Sequence, residues 1–278
     1  MSNEINNVKV TKASGVTELF SIKKLRNSLA TAKATAEEID LIVESILPKL
    51  YEGISTKKIY TEAFRLLRHH SNGHAARFHL KKGIMELGPS GFPFEKFIGE
   101  LFKQQGYIVQ VGTVLQGKCV THEIDVIAEK ENQLNLIECK YRNQPGIAVD
   151  VKTPLYIRSR FQDVLANELL EHKKKKFTGW VITNSKFTSD SIAYGICKGM
   201  QLLSWDYPLN NSLKDWVDRT GLYPLTCLTS LTRSEKEWLL SKGYVLVKEI
   251  LNDEQLLLKA GVKGIRIKAV IDEGAKLL

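Results

Sequence analysis

Two acidic residues and a lysine lie on neighbouring apolar segments, with a spacing that could support phosphodiester hydrolysis. Asp125 lies in the segment HEIDVIAEK, and Glu138 and Lys140 lie in LNLIECKYR; a polar turn at 130–133 separates the two segments. Because side chains alternate along a strand, Glu138 and Lys140 are predicted on one face, and a hairpin would bring Asp125 alongside. Two carboxylates and an ammonium are therefore expected to converge.

These groups suit metal-assisted hydrolysis. Carboxylate oxygens such as those of Asp125 and Glu138 are preferred by hard divalent cations, Mg²⁺ or Mn²⁺, which polarise a phosphoryl oxygen and activate water. Lys140 could offset charge in the transition state, and the carbonyl of Cys139 is a further candidate ligand. A Glu-x-Lys triplet also arises by chance on solvated strand edges. Its position at the end of a buried strand favours a function, because burying charge is costly.

The surrounding elements predict an α/β domain over residues 89–210. An amphipathic helix from Phe94 to Gln105 precedes three short β-branched strands, and a helix from Val151 to Lys175 follows them. A strand at GWVIT, a helix from Ser189 to Gly199 and a strand at QLLSW complete the order. This alternation favours a mixed sheet flanked by helices.

Two mainly helical segments flank this domain. Residues 1–88 predict two short strands, then helices over 22–32, 36–50, 55–68 and 73–86, with Thr35 and Ser55 as N-caps. A Gly-Pro turn at 88–91 marks the boundary. Residues 211–278 predict short helices joined by tight turns.

Composition limits the classes of protein that fit. The chain has 278 residues, with 40 Lys plus Arg against 31 Asp plus Glu, which gives a net charge of +9 and favours a polyanionic partner. The sequence shows neither a leader segment nor an apolar run long enough to span a membrane, so we expect a cytoplasmic protein. The four cysteines form no CxxC pair, lie mostly in apolar runs and are interpreted as reduced core thiols.

The order of motifs over about 89–207 resembles the catalytic domain of Mrr-like restriction endonucleases, a branch of the PD-(D/E)xK nuclease superfamily. The matching residues are Phe94-Glu95, Gly106-Tyr107, Ile124 to Ala128, and Glu138-Cys139-Lys140. The resemblance implies that Asp125 and Glu138 bind Mg²⁺, that Lys140 is the catalytic lysine and that Glu95 is an acidic helper at the metal.

Two details of this resemblance are less regular. The family often has a glycine where this chain has His122-Glu123. Glu123 is either an additional acid or an outward surface charge, and His122 is interpreted as structural or exposed. Gln162 resembles a polar helper found in some members. The lysine run 173–176 is either a solvated face or a phosphate contact.

The N-terminal segment resembles the ATP-cone, a nucleotide-sensing module. The matching residues are Val10, Lys12, Gly15, Phe20, Lys24-Leu25, Ile59-Tyr60 and Ala75 to Phe78. The resemblance implies that Lys9, Lys12 and Lys24 contact the phosphates of ATP or dATP, an effector. Ala13-Ser14 replaces the usual Arg-Asp pair, so a scaffold that binds no nucleotide stays open.

The C-terminal segment resembles a helix-hairpin-helix element. Its hairpin, Ala260 to Ile265, would present backbone N–H groups to a DNA phosphate. The predicted DNA contacts are Gly261, Lys263, Gly264, Arg266 and Lys268. A similar stretch around Gly243 is a candidate degenerate first copy. A helical packing module without DNA contact is the alternative.

Together these features predict a Mg²⁺-dependent DNA endonuclease, an enzyme that hydrolyses phosphodiester bonds; control by an adenine nucleotide follows only if the N-terminal segment binds one. DNA is the expected partner, and cutting both strands would suit a homodimer. Two alternatives stay open: a nucleotide-responsive DNA-binding regulator with an idle nuclease site, and a structure-specific repair nuclease.

Overall fold

The computed structural model describes residues 8–167 and 175–278, and the chain folds into two compact units. The first unit comprises Met1–Gly83, Leu225–Trp238 and Val247–Leu278, and the second comprises Ile84–Pro224 and Leu239–Leu246. Most of the C-terminal segment is thus grouped with the N-terminal helices. The three consecutive domains expected from sequence, 1–88, 89–210 and 211–278, stay a prediction about domain limits.

The described residues form the following helices and strands. The helices are α1 (Ile22–Thr31), α2 (Ala36–Ile46), α3 (Thr56–His70), α4 (Asn72–Phe78), α5 (Leu80–Met85), α6 (Phe92–Lys103), α7 (Lys152–Leu165), α8 (Ser189–Cys197), α9 (Leu213–Thr220), α10 (Arg233–Ser241), α11 (Glu254–Lys259) and α12 (Gly264–Leu277). The strands are β1 (Lys9–Thr11), β2 (Thr17–Leu19), β3 (Ile54–Ser55), β4 (Ile108–Gln116), β5 (Thr121–Lys130), β6 (Gln133–Lys140), β7 (Ala148–Val149), β8 (Lys176–Thr183), β9 (Lys186–Phe187) and β10 (Gln201–Leu203).

The first unit is mainly helical, with a small sheet in the order β2-β1-β3. Strand β1 pairs antiparallel with β2 and parallel with β3. The predicted N-caps are confirmed, since Ser55 accepts from the Lys58 N–H and Thr35 forms a capping box with Glu38. Strand β3 was not predicted, because a two-residue strand carries no periodic signal.

The C-terminal helix α12 packs against α4 within the first unit. Gly73 lies so close to α12 that a Cβ there would be 2.7 Å from the backbone oxygen of Lys276. Arg77 on α4 donates to the carbonyl oxygen of Leu277, and the Thr226 hydroxyl donates to the Gly83 carbonyl at 2.6 Å. A glycine at position 73 is therefore what permits this approach.

The second unit is built on a mixed five-stranded sheet in the order β10-β8-β6-β5-β4. Strands β4, β5 and β6 pair antiparallel, whereas β6, β8 and β10 pair parallel. The predicted α/β architecture is confirmed. Ile157 and Phe161 of α7 belong to the apolar core on one face, and Trp180 contacts Phe102 of α6 and Trp216 of α9 on the other.

Three predicted helices differ from the structure. The predicted helix 73–86 is divided into α4 and α5, and α2 ends at Ile46 before a 3-10 turn that contains Pro48. Helix α7 ends at Leu165, whereas the prediction extended it to Lys175; residues 168–174, which include Lys173 and Lys174, lie outside the described part. Strand β8 begins at Lys176, because its pairing with Gln133 requires extended backbone there.

The helices in the described part of the chain are all too short or too polar to cross a membrane.

Candidate active site

Asp125 and Glu138 lie across from each other on the antiparallel strands β5 and β6. The last registered pair of these strands is Val126 with Ile137, so Asp125 and Glu138 are the next two positions along the hairpin. The backbone N–H of Cys139 donates to Asp125 Oδ2 at 2.7 Å. The structure thus confirms the hairpin and places the two carboxylates side by side.

Glu138 is buried, with 4% exposure, and both of its carboxylate oxygens contact cations. Lys140 Nζ bonds to Oε1, and Arg160 Nη1 donates to Oε2 at 2.8 Å. Two charge-assisted contacts offset the cost of burying this carboxylate. The predicted proximity of Glu138 and Lys140 is therefore confirmed.

Arg160, on α7, is a member of the site that sequence reasoning missed. Besides bonding to Glu138, its guanidinium donates to the backbone carbonyl of Glu123 and lies 5.6 Å from the ring of the exposed Tyr156. The only sequence signal was an arginine beside the apolar positions 157, 161 and 164 of an amphipathic helix. That signal does not show that Arg160 pairs with Glu138, 22 residues earlier in the chain.

The carboxyl group of Asp125 is perturbed by its surroundings. Burial, and next the charge of Glu138, raise the pKa of Asp125 to about 6. The N–H of Cys139 and the charges of Lys140 and Arg160 act in the opposite direction, because they favour the charged carboxylate. Repulsion between neighbouring carboxylates is typical of sites that take a cation.

Glu95 lies in the first turn of α6 and belongs to the same acidic cluster. Its pKa is raised to about 7 by burial first, and then by the charges of Asp125, Glu123 and Glu138. The structure thus brings all four predicted catalytic residues into one electrostatically coupled group. Glu123 has an exposed side chain, yet its charge is near enough to affect Glu95.

Next to this group, His122 and Asp163 hold the start of β5. His122 Nε2 is 2.8 Å from Asp163 Oδ2, and the same carboxylate accepts the N–H groups of Cys119 and Val120. The hydrogen bond from His122 is the main cause of the lowered pKa of Asp163, about 2. These contacts fix the loop that leads into the strand of Asp125.

Two family models match parts of the chain: restriction endonuclease over residues 88–206, and AF1548-like, C-terminal, over 223–278. An uncharacterized protein of Archaeoglobus fulgidus is 30% identical over 183 residues, which are 65% of this chain and 99% of the relative. The chain belongs to the AF1548-like family. Its central segment is a restriction-endonuclease-like domain, as the motif order predicted, whereas the ATP-cone resemblance stays a prediction.

One solved structure agrees with this assignment. The crystal structure of the protein of unknown function AF1548 superimposes with a TM-score of 0.56 at 28% identity, over 68% of this chain and 98% of that one. The MspJI restriction endonuclease in complex with a 27-mer oligonucleotide matches with a TM-score of 0.32 at 13% identity, over 74% of this chain and 43% of that one.

The site of this AF1548-like chain fits a hard divalent cation. Among the residues that the structure describes, His, Cys, Asp and Glu side chains do not form a ligand set of three or more. Mg²⁺ needs fewer protein ligands than three, because it commonly takes one or two carboxylates and completes its coordination shell with water and substrate phosphate. Asp125 and Glu138 provide such a pair; the pKa values of Asp125 and Glu95 are raised first by burial and then by neighbouring negative charge, which a cation would compensate.

Two of the three lysines predicted to bind nucleotide lie together. Lys12 Nζ and Lys24 Nζ contact the Glu18 carboxylate at 2.6 and 3.2 Å, and they lower the pKa of Glu18. The described contact of Lys9 is made by its backbone N–H, which donates to Glu52 at 3.0 Å. The structure therefore brings Lys12 and Lys24 together around an acid and does not add the Lys9 ammonium to that pair.

The C-terminal hairpin has the predicted form, with one exception among its cations. Gly261 has a φ of +91°, which favours glycine, and Lys263, Gly264 and Lys268 are exposed. Arg266 instead contacts Glu235 of α10 at 2.5 and 3.0 Å and donates to the Ser230 carbonyl. The guanidinium of Arg266 thus binds an internal carboxylate, and its contact with DNA stays a prediction.

The turn at Gly243 has the same local geometry as the turn at Gly261. Tyr244 N–H donates to the Leu239 carbonyl at 3.1 Å, and Val262 N–H donates to the Leu257 carbonyl at 3.0 Å. Both glycines have positive φ, +85° and +91°. A first copy of the hairpin around Gly243, as predicted, requires this similarity between the two turns. The Gly243 carbonyl also accepts from Lys96 Nζ at 2.6 Å.

Proposed function

We propose that this protein is a metal-dependent DNA endonuclease. The observation that carries the proposal is the pair of carboxylates Asp125 and Glu138, set across one hairpin with Lys140 and Arg160 beside them, in a restriction-endonuclease-like domain. Such a domain needs a cation site and a positive charge where a phosphodiester is to be hydrolysed. The site combines both.

Asp125 and Glu138 would hold Mg²⁺ or Mn²⁺, which when bound polarises the phosphoryl oxygen and makes a water molecule more acidic. Lys140 places a positive charge beside the acids, where it would offset the negative charge that develops as water attacks phosphorus. Glu95, an acid of the same cluster, would accept a proton from that water. The P–O bond to the leaving strand then breaks, and its oxygen takes up a proton.

DNA is the proposed substrate. A net charge of +9 favours a polyanion, and the exposed Lys263 and Lys268 flank a hairpin of the kind that contacts phosphate without reading sequence. We further propose that ATP or dATP acts as an effector at Lys12 and Lys24, where its phosphates would compete with the Glu18 carboxylate. A homodimer would allow both strands to be cut.

The first test is a cleavage assay with Mg²⁺, Mn²⁺ or EDTA on plain, methylated, branched and single-stranded DNA. Cleavage is expected only with metal, and Asp125→Asn and Lys140→Ala should each lower the rate by about 100-fold or more. The matched control is Glu131→Gln, in the exposed turn between the same two strands, which should retain the wild-type rate.

Intact DNA under all metal conditions would overturn the proposed activity. If DNA binds without metal and its affinity changes with ATP or dATP, the regulator interpretation gains support instead. Preferential cleavage of branched DNA over plain and methylated duplexes would identify a repair nuclease.

A further inference from the structure

Arg142 follows the catalytic strand and is held there by a buried amide. Its N–H donates to Asn184 Oδ1 at 2.8 Å, and Asn184 Nδ2 donates to the Arg142 carbonyl at 2.8 Å. Asn184 is only 3% exposed. Thr183, one residue before Asn184, donates its hydroxyl to the carbonyl of Lys140 at 2.6 Å. These side chains extend the β6–β8 pairing by two residues beyond the end of β6.

Asn184 pairs with both backbone groups of Arg142 as a neighbouring strand would, so the alternation along β6 assigns the Arg142 side chain to the same side as that of Lys140. Residues two apart in a strand have Cα atoms about 6.6 Å apart and share a face. Tyr141, between them, lies on the opposite side, where its ring packs against Phe94 and its hydroxyl donates to the Met85 carbonyl. Arg142 is therefore the next cation beyond Lys140 along the edge of the site.

The guanidinium of Arg142 differs from the cationic groups of Lys140 and Arg160, because it forms no ion pair with an acidic side chain in the described part of the chain. Lys140 and Arg160 both bond to Glu138, whereas Arg142 contacts no carboxylate among the residues that the structure describes. Its Nε is buried and makes no hydrogen bond. A desolvated donor without a partner is destabilising, and an anion at the guanidinium would reduce the cost of holding this cation beside the sheet.

We propose that Arg142 binds a phosphate of the nucleic-acid strand next to the one being hydrolysed. This inference rests on the proposed nuclease function. A guanidinium suits the role because its planar fork matches phosphate oxygens, and Asn184 fixes the backbone from which it extends. The separation of Lys140 and Arg142 along the strand is comparable with that between successive phosphates of one nucleic-acid strand. Arg142 would thus set the register of the substrate relative to Lys140.

The test measures DNA binding without cleavage. A fluorescein-labelled duplex is titrated with the full chain in Ca²⁺ and in EDTA, at several NaCl concentrations. Arg142→Gln should weaken binding about 10-fold and Arg142→Glu about 100-fold, and for Arg142→Gln the salt slope should fall by about one because one phosphate contact is lost. The matched control is Arg158→Gln, an α7 arginine that donates to the Lys198 carbonyl at 2.9 Å.

Wild-type affinity and slope in both Arg142 variants would overturn the inference and leave the nuclease proposal intact. A wild-type chain that binds no DNA at any salt concentration would instead overturn the proposed function. If thermal unfolding shows that Arg142→Gln does not fold, Arg142→Lys decides. Arg142→Lys must then bind DNA less tightly than wild type, because lysine lacks the planar guanidinium. Its salt slope must stay unchanged, because the positive charge is kept. Wild-type affinity in Arg142→Lys would contradict the proposal.

Discussion

Glu138 is the most constrained residue of the site, because Lys140 and Arg160 each hold one of its oxygens. A carboxylate fixed at both oxygens keeps one orientation, so it can act as a rigid reference for its neighbours. Asp125 has only the Cys139 N–H as a hydrogen-bond donor in the described residues. The two carboxylates therefore differ. The negative charge of Glu138 is compensated by two cations, whereas a negative charge on Asp125 destabilises the folded protein.

This difference predicts a pH-dependent stability for Asp125→Asn in metal-free buffer. The pKa of Asp125 is raised to about 6 in the folded protein from an ordinary value of 3.8. Between these values the folded state binds more protons than the unfolded state, so the free energy of unfolding of the wild type falls as pH rises. Asparagine stays neutral and can still accept from Cys139 N–H. The variant should gain about 1 to 2 kcal/mol over wild type above pH 7.

Urea unfolding at pH 4, 6 and 8 in EDTA measures this gain, which should shrink towards zero at pH 4. Added Mg²⁺ should stabilise the wild type and leave Asp125→Asn unchanged, since a ligand raises stability only where it binds the folded state. Glu131→Gln, in the exposed turn of the same hairpin, should show no gain in EDTA and should be stabilised by Mg²⁺ as much as the wild type. A gain for Asp125→Asn that stays constant from pH 4 to 8 would contradict the assigned cause.

At the level of elements, the part of the site that was predictable is local. Asp125, Glu138 and Lys140 follow from strand alternation and one tight turn, both of which the sequence displays. Arg160 could not be predicted, because its contact with Glu138 depends on how α7 packs on the sheet. For the same reason, the contact of Arg266 with Glu235, 31 residues away in the chain, could not be predicted.

The hairpin between α11 and α12 gives a prediction that separates these two kinds of cation. Lys263 and Lys268 are exposed, whereas Arg266 holds Glu235, whose carboxylate is 5% exposed. Replacing both lysines with alanine should lower the salt slope of DNA binding by about two and leave stability unchanged. Arg266→Gln should instead destabilise the protein by about 1 to 3 kcal/mol, because a buried carboxylate loses its partner.

DNA titrations across NaCl concentrations, together with urea unfolding of the same proteins, distinguish the two outcomes. Lys259→Ala, on α11 before the turn, is the charge-matched control for a lysine. An unchanged salt slope in the double lysine variant would support the alternative in which this segment is a helical packing module.

At the level of the whole molecule, part of this chain extends beyond its relative. The Archaeoglobus fulgidus protein is covered almost completely, yet it accounts for 65% of the residues here, and both matched family models lie after residue 87. Residues 9–78 contribute an apolar core cluster and include the small sheet with Lys12, Glu18 and Lys24 nearby. The proposed control by nucleotide would act through this segment, because it carries two of the lysines that the ATP-cone resemblance implies.

Nucleotide binding at this segment should therefore depend on Glu18. Its carboxylate neutralises Lys12 and Lys24, so a triphosphate must displace it, and Glu18→Gln should increase the affinity for ATP and dATP. Thermal unfolding with 1 mM nucleotide reports binding, at about 2 to 4 °C per kcal/mol of stabilisation. The shift should be larger in Glu18→Gln than in wild type, absent in Lys12→Gln/Lys24→Gln, and unchanged in the exposed neighbour Lys23→Gln. If neither wild type nor Glu18→Gln shifts, the segment is a scaffold, and the loss of the Arg-Asp pair at Ala13-Ser14 accounts for it.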